Sequence, residues 1–239
     1  MMKFARIIQL VLLPSLLLQA EQSTAQSAEV TGNIRVNEAT DAGHAKHLSA
    51  ANVVLWLTPL DTPLQLPIPK LHIRLVQKNK EFTPHLLVVP TGTSVDFPNM
   101  DPFFHNVFSL FNGKRFDLGL YEAGSHRSVS FDREGVSYIF CNIHPEMGAV
   151  VVALNSPYYA ISSPDGSIVL HDVPAGRYRV QTWAEQLQAA STEEGELIVQ
   201  ITPKGATLGT ITLNPGVDAL AHHKNKFGKD YPPSLPSQY

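Results

Sequence analysis

Cys141-Asn142-Ile143-His144-Pro145-Glu146-Met147 places a thiol, an imidazole and a thioether on seven residues. Val136 to Phe140 runs directly into Cys141, and Ala149 to Leu154 follows just after Met147. Both flanks are short, apolar and rich in β-branched residues, which is strand composition. A tight loop between two strands can point several side chains at one spot. Thiolate and thioether are soft ligands, and imidazole suits copper; a trigonal His2Cys set with a long, weak axial Met is an electron-transfer copper set. The loop lacks the second His. Asp101-Pro102-Phe103-Phe104-His105-Asn106-Val107-Phe108 offers the best candidate. The expected site is therefore His105, Cys141, His144 and Met147 around one copper, with His105 at the end of a neighbouring strand. Pro145 fixes its own φ and restricts His144, which stiffens the loop.

Cys141 is the only cysteine, so the chain has no internal disulfide and its lone thiol needs a role. The compartment makes that pointed. Lys3 and Arg6 precede an apolar run from Ile7 to Leu18, and Ser23-Thr24-Ala25 reads as a cleavage site. Residues 1–25 are therefore read as a signal peptide and the mature chain as periplasmic. The apolar run is shorter than the ~20 residues a spanning helix needs, so no membrane span is expected in the mature form. The net charge of −3 provides no basic field for nucleic acid.

Turn signals divide the remainder into short strands. Val30 to Val36 alternates, Ala51 to Leu57 is more uniformly apolar, and a polar stretch from Asn37 to Ser49 lies between them. Four prolines between Thr58 and Pro69 read as a linker. From Leu71 to Leu154 about eight short apolar runs alternate with Gly and Pro, which predicts an antiparallel sandwich or barrel. After Pro157 come further strands at Tyr158 to Ile161, Ser167 to Leu170, Arg177 to Trp183, Glu196 to Ile201 and Thr207 to Leu213, with Asp165-Gly166 as a hairpin turn. The tail from Asn214 is expected to be poorly ordered or to lie on the surface.

Several stretches resemble the cupredoxins, in particular plastocyanin- and amicyanin-like proteins and bacterial methylamine utilisation proteins. They are Phe97-Pro98-Asn99-Met100-Asp101-Pro102-Phe103-Phe104-His105-Asn106-Val107-Phe108-Ser109, Phe116-Asp117-Leu118-Gly119-Leu120-Tyr121 and Cys141-Asn142-Ile143-His144-Pro145. The resemblance covers roughly residues 71–154 and matches all four ligand positions. It implies a Greek-key sandwich holding a type 1 copper. It also implies that the Asn106 backbone N–H points at the Cys141 sulphur while its side chain ties the two ligand loops together. Val30-Thr31-Gly32, residues 51–57 and Asp172-Val173-Pro174-Ala175-Gly176-Arg177-Tyr178 resemble instead the carboxypeptidase regulatory-like, or CnaB-type, β sandwich. The expected fold is all-β: a cupredoxin Greek-key sandwich plus a second, smaller CnaB-like one. Its expected parts are residues 26–69 and 156–213 for the outer sandwich, 70–155 for an inserted cupredoxin, and 214–239 for the tail.

The function expected is periplasmic one-electron transfer to a redox protein partner through Cu(I)/Cu(II) cycling. Copper storage or delivery is an open alternative, as is an interaction module with an accessory copper site. Catalysis is not expected, because the chain holds one Cys-x2-His-x2-Met loop and no His-x-His pair. His85 and His126 are read as solvated or structural, and His44, His47, His222 and His223 as surface residues. Pro102, Phe103 and Phe104 are read as core or as an apolar collar at His144.

Overall fold

The computed structural model describes residues 27–231 apart from 42–43, 47, 65–71, 111–112, 190–195, 218–219 and 221–222. The signal peptide expected over residues 1–25, and His47 and His222, lie outside the described residues. Among those residues every regular element is a strand. The chain opens with β1 (Ser27–Val36), the small hairpin β2 (Ala39–Asp41) and β3 (His44–Lys46), and β4 (Val54–Pro59). Next come β5 (His72–Arg74), β6 (Val76–Lys78), β7 (Glu81–Thr83), β8 (Leu86–Pro90) and β9 (Thr93–Pro98). The middle continues with β10 (His105–Ser109), β11 (Phe116–Tyr121), β12 (His126–Phe131), β13 (Gly135–Phe140) and β14 (Gly148–Leu154). It closes with β15 (Tyr159–Ile161), β16 (Ser167–Pro174), β17 (Gly176–Trp183), β18 (Leu197–Ile201) and β19 (Ala206–Leu213).

Pairing sorts these strands into two sandwiches. The inner one stacks a sheet of order β11-β10-β13-β14-β8 on a sheet of order β12-β9-β5. The outer one stacks β16-β1-β19 on β15-β4-β17-β18. Strands from before and after the middle of the chain thus share the outer sheets, while β5 to β14 pair among themselves. The sandwiches are mixed rather than antiparallel. β14 runs parallel to β8, β5 to β9, and β1 to β19. Each parallel pair joins strands that are distant in sequence, so the intervening chain can cross sheets and return in the same direction. Two smaller departures from the sequence reading are local. The polar stretch 37–49 contains the β2–β3 hairpin, which polar residues hide from any apolar pattern. The first of the expected apolar runs is split between β5 and β6 at Leu75, whose N–H bonds the Asp96 carbonyl. The Asp165-Gly166 turn forms, with Gly166 at φ 81; a Cβ there would strike the Ile34 carbonyl, so the site requires glycine.

Three apolar cores hold the assembly. One fills the outer sandwich around Val30, Leu55, Leu57, Ile168 and Val180. A second fills the inner sandwich around Phe97, Phe131, Ile139, Val151 and, notably, Cys141 and Met147. The third lies between the sandwiches, where Val54 and Trp56 of β4 meet Val88, Val150, Val152 and Leu154 of β8 and β14. Alternation explains this arrangement. In β14, Ala149, Val151 and Ala153 face the inner core while Val150, Val152 and Leu154 face the outer sandwich. In β4, Leu55 and Leu57 face one core and Val54 and Trp56 another. Strands that are apolar on both faces must be covered on both. Each buried aliphatic or aromatic side chain in the shared layer contributes about 1.5–3 kcal/mol relative to exposure. The sandwiches are therefore held face to face, with β13 and β14 in the sheet that touches both cores.

Trp56→Ala should cost about 3–5 kcal/mol and loosen the shared layer. In urea titrations followed by circular dichroism, the parent should unfold in one transition and the variant in two. A single transition at the parental midpoint in the variant would count against a structural role for this layer.

Candidate metal centre

β13 delivers Cys141 at the rim of the inner sandwich, and β14 takes the chain away after Met147. The loop closes on itself: Cys141 N–H bonds the Met147 carbonyl at 3.3 Å, and Met147 N–H bonds the His144 carbonyl at 3.0 Å. β10 lies beside β13, paired through Phe108 and Phe140, and its first residue is His105. Three atoms converge. His105 Nδ1 is 3.2 Å from His144 Nδ1, and Cys141 Sγ is 3.7 Å and 3.6 Å from them respectively. Among the described residues this is the one group of three or more His, Cys, Asp or Glu side chains close enough to share an ion. Met147 is buried in the same apolar cluster as Cys141.

The protonation pattern suits a cation. His105 is fully buried, and its Nε2 sits 2.8 Å from Asp101 Oδ2. Nε2–H donates to that carboxylate, which leaves the Nδ1 lone pair aimed at the cluster. Asp101 is itself fixed by the backbone N–H groups of Asn79 and Lys80, at 2.6 and 3.0 Å. Burial works against its ionisation, but the Lys80 amide, His105 and the Asn79 amide together hold its carboxyl below the usual range. Burial and the neighbouring His105 push the His144 imidazole down, toward the neutral form that ligates. Burial pushes the Cys141 thiol up, while the backbone N–H groups of Asn106, Ile143 and His144 face the sulphur and favour thiolate.

The donor set fits a first-row metal. At zinc-type bond lengths of about 2.0–2.1 Å to nitrogen and 2.3 Å to sulphur, three trigonal ligands stand roughly 3.5–3.8 Å apart. The observed separations are 3.2–3.7 Å. Two imidazole nitrogens this close need a proton or a cation between them.

Surrounding residues brace the rings. Phe103 lies edge-on to His105 at 5.2 Å and tilted against His144 at 5.6 Å, with Lys80 over its other side. Outside, Lys80, Pro102, Phe103, Phe104, Ile143 and His144 line an open cavity of about 510 Å³. Phe104 is 55% exposed and Ile143 45%. Pro145 is exposed on the loop.

One sequence expectation needs correction. The Asn106 side chain makes no direct bond to the Cys141 loop. Its Nδ2 donates to Asp117 Oδ1 at 2.7 Å, on β11, because β11 is the strand paired beside it. The described part of the tail lies on the surface, one of its two expected states, and is held there: His223, half-buried, lies flat on Phe140 at 3.9 Å, and Tyr231 Oη–H donates to the Cys141 carbonyl at 3.1 Å. Burial, with Cys141 beside it, pushes the Tyr231 hydroxyl up to about 12. His85 bonds Glu185 at 2.7 Å, and His126 is exposed on β12; neither belongs to the three-residue cluster. Sequence reasoning assigned no role to Asp101, Lys80, Lys226 or Tyr231. Only Asp101 carried a signal, as an acid four residues before His105 in the same loop.

No family model and no curated protein match the chain. Solved structures do. A purple cupredoxin from Nitrosopumilus maritimus is 26% identical over 34% of this chain and 99% of its own, with a TM-score of 0.31. A copper-containing nitrite reductase from Thermus scotoductus SA-01 is 22% identical over 41% of this chain and 25% of its own, at 0.34. A reduced amicyanin variant is 20% identical over 36% of this chain and 86% of its own, at 0.34. All three scores are low, and the centre stands on its own atoms.

Asp101→Asn should weaken metal binding about 10–100-fold, read by competitive chelator titration. It should also change the acid response of the metal-free protein. In the unfolded chain a free Asp takes up its proton near pH 3.9, above the depressed native value. The stability Asp101 contributes is thus present above about pH 4 and lost as pH falls through the native value. The variant should lose less stability than the parent over that interval.

Proposed function

We propose that this chain is a periplasmic type 1 copper protein that transfers one electron at a time to and from a protein partner. The observation that carries the reading is the convergence of His105 Nδ1, His144 Nδ1 and Cys141 Sγ within 3.7 Å, with His105 Nε2 bonded to Asp101. His105, Cys141 and His144 would hold the metal, with Met147, buried beside Cys141, as a fourth ligand. Copper bound there supplies exchange between Cu(I) and Cu(II).

The chain's own residues do the rest. Asp101 keeps the His105 proton on Nε2. The Asn106, Ile143 and His144 amides stabilise the Cys141 thiolate that forms when its proton leaves. Phe103 and the self-closed loop restrain both imidazoles, so the ligands need little rearrangement between redox states. The deep burial of His105 and Cys141 favours this reading over copper storage or delivery, which needs ligands that let go. His144 is the half-exposed ligand, at the edge of the apolar collar of Phe104 and Ile143, and serves as the electron port. The reading gives the chain no catalytic step of its own. The expected residues 26–69 and 156–213 form the mount in which the copper block, residues 70–155, is inserted.

Anaerobic titration with Cu(II) should produce an intense visible charge-transfer band at one equivalent that bleaches reversibly with reductant. Cys141→Ser should abolish the band, and Met147→Gln should keep it while moving the potential. A colourless Cu(II) complex in the parent would overturn the reading. Rapid Cu(I) hand-off with slow electron self-exchange would favour delivery instead.

A further inference from the structure

The last described residues, Leu220 and 223–231, lie against the shared core and the ligand loop. Leu220 packs against the shared core of Val150 and Val152. His223 stacks on Phe140, the residue before Cys141, with an interplanar angle of 7°. Its Nδ1 bonds the Leu220 carbonyl at 2.9 Å, and Tyr231 stands edge-on to its ring at 5.3 Å. Between them the chain makes a self-contained turn. Asn225 N–H bonds the Lys229 carbonyl at 2.9 Å, Gly228 N–H bonds the Asn225 carbonyl at 2.8 Å, and Asn225 Oδ1 accepts from Phe227 and Lys229. The turn shapes the segment before it meets the loop.

Its grips fall on the polypeptide that carries the ligands. Tyr231 Oη–H donates to the carbonyl of Cys141 itself. Lys226 N–H donates to Asn142 Oδ1 at 3.0 Å, one residue further along the loop. Lys226 Nζ donates to Asp117 Oδ2 at 2.8 Å. Asp117 Oδ1 in turn accepts from Asn106 Nδ2, and the Asn106 backbone N–H faces the Cys141 sulphur. One lysine therefore ties the Cys141 loop to the strand carrying His105, through Asn142 on one side and Asp117 and Asn106 on the other. Bonds to the groups around a ligand fix its orientation and tune the metal, and the Tyr231 bond to the Cys141 carbonyl opposes rotation of that peptide plane.

We infer that residues 223–231 are a working part of the metal centre, with Tyr231 and Lys226 as positioning residues that hold the Cys141 loop and the Asn106 amide in register. The inference rests on the copper reading for what the centre does, but the strap itself is a property of the metal-free chain.

The test uses the full chain carrying Tyr231→Phe, Lys226→Met or both, with deletion of residues 218–239 as a coarser variant. In the metal-free double variant, amide hydrogen exchange across residues 141–147 should accelerate about tenfold or more, while β9 and β12 exchange as in the parent. After Cu(II) loading, the double variant should show a changed ratio of its visible charge-transfer bands and a shifted potential. Lys226→Arg should retain the parental spectrum, because it keeps a cation at Asp117. Parental exchange and a parental spectrum in the double variant would overturn the proposal. Accelerated exchange with a parental spectrum would overturn the positioning role and leave only a structural one. Should the parent show no visible band, the copper reading fails, and exchange on the metal-free protein still decides whether the strap holds the loop.

Discussion

A strand without a polar face must be covered twice, and β14 is such a strand. Its residues alternate between the inner core and the layer shared with the outer sandwich, and each set is buried. The surroundings of the candidate metal centre follow from that constraint. Because β14 is clamped on both faces and paired on both edges, to β13 and to β8, the loop entering it has one fixed end. Because β13 is paired to both β14 and β10, the other end is fixed as well and His105 is brought alongside. The loop can then be short and tense without fraying, since the strands supply the stability and the loop supplies only ligands.

Around this frame the polar groups are arranged so that none of the site's charges is left unsupported. Asp101 is buried, which disfavours a carboxylate, yet two backbone N–H groups and the His105 ring hold it ionised. Its role is indirect. By accepting from Nε2 it settles which nitrogen of a fully buried imidazole keeps a free lone pair. Cys141 is buried too, and three backbone N–H groups face its sulphur. The same device serves the Asp101 carboxylate and would serve a Cys141 thiolate: amides already fixed by the fold stabilise charge without the entropy cost of ordering a side chain. His144 differs in being partly open, which gives the centre one door, framed by Phe104 and Ile143.

The outer sandwich and the segment after it change how the centre should be pictured. A sandwich of this size could present its loop to solvent on all sides. Here the layer of Trp56, Val152 and Leu154 covers one face of the ligand sheet, His223 covers Phe140 and Tyr231 grips the Cys141 carbonyl. The centre is thus supported from a part of the chain about 80 residues away in sequence, as the Lys226–Asn142 bond illustrates.

By itself the sequence determined where strands fall through the middle of the chain and which donors, His105, Cys141 and His144, converge. Gly, Pro and apolar alternation are local signals, and Cys141, His144 and Met147 sit on one loop whose length leaves them little choice. His105 was legible because it is the His in an apolar segment that can end a neighbouring strand. Tertiary structure decided the rest, for reasons no local pattern encodes. Parallel pairing of β8 with β14 depends on where the chain returns after crossing sheets. The Asp101 bond depends on Asn79 and Lys80 arriving at the same point from a different turn. The uniform apolarity of residues 54–57 and 149–154 signalled burial, but not that the two strands would bury each other. The tail reads as polar and proline-rich, hence poorly ordered or lying on the surface. Its hold on the Cys141 loop comes from a few well-placed hydrogen bonds and one stacked ring, and such bonds leave no periodicity in the sequence because each depends on a partner brought near only by the finished fold.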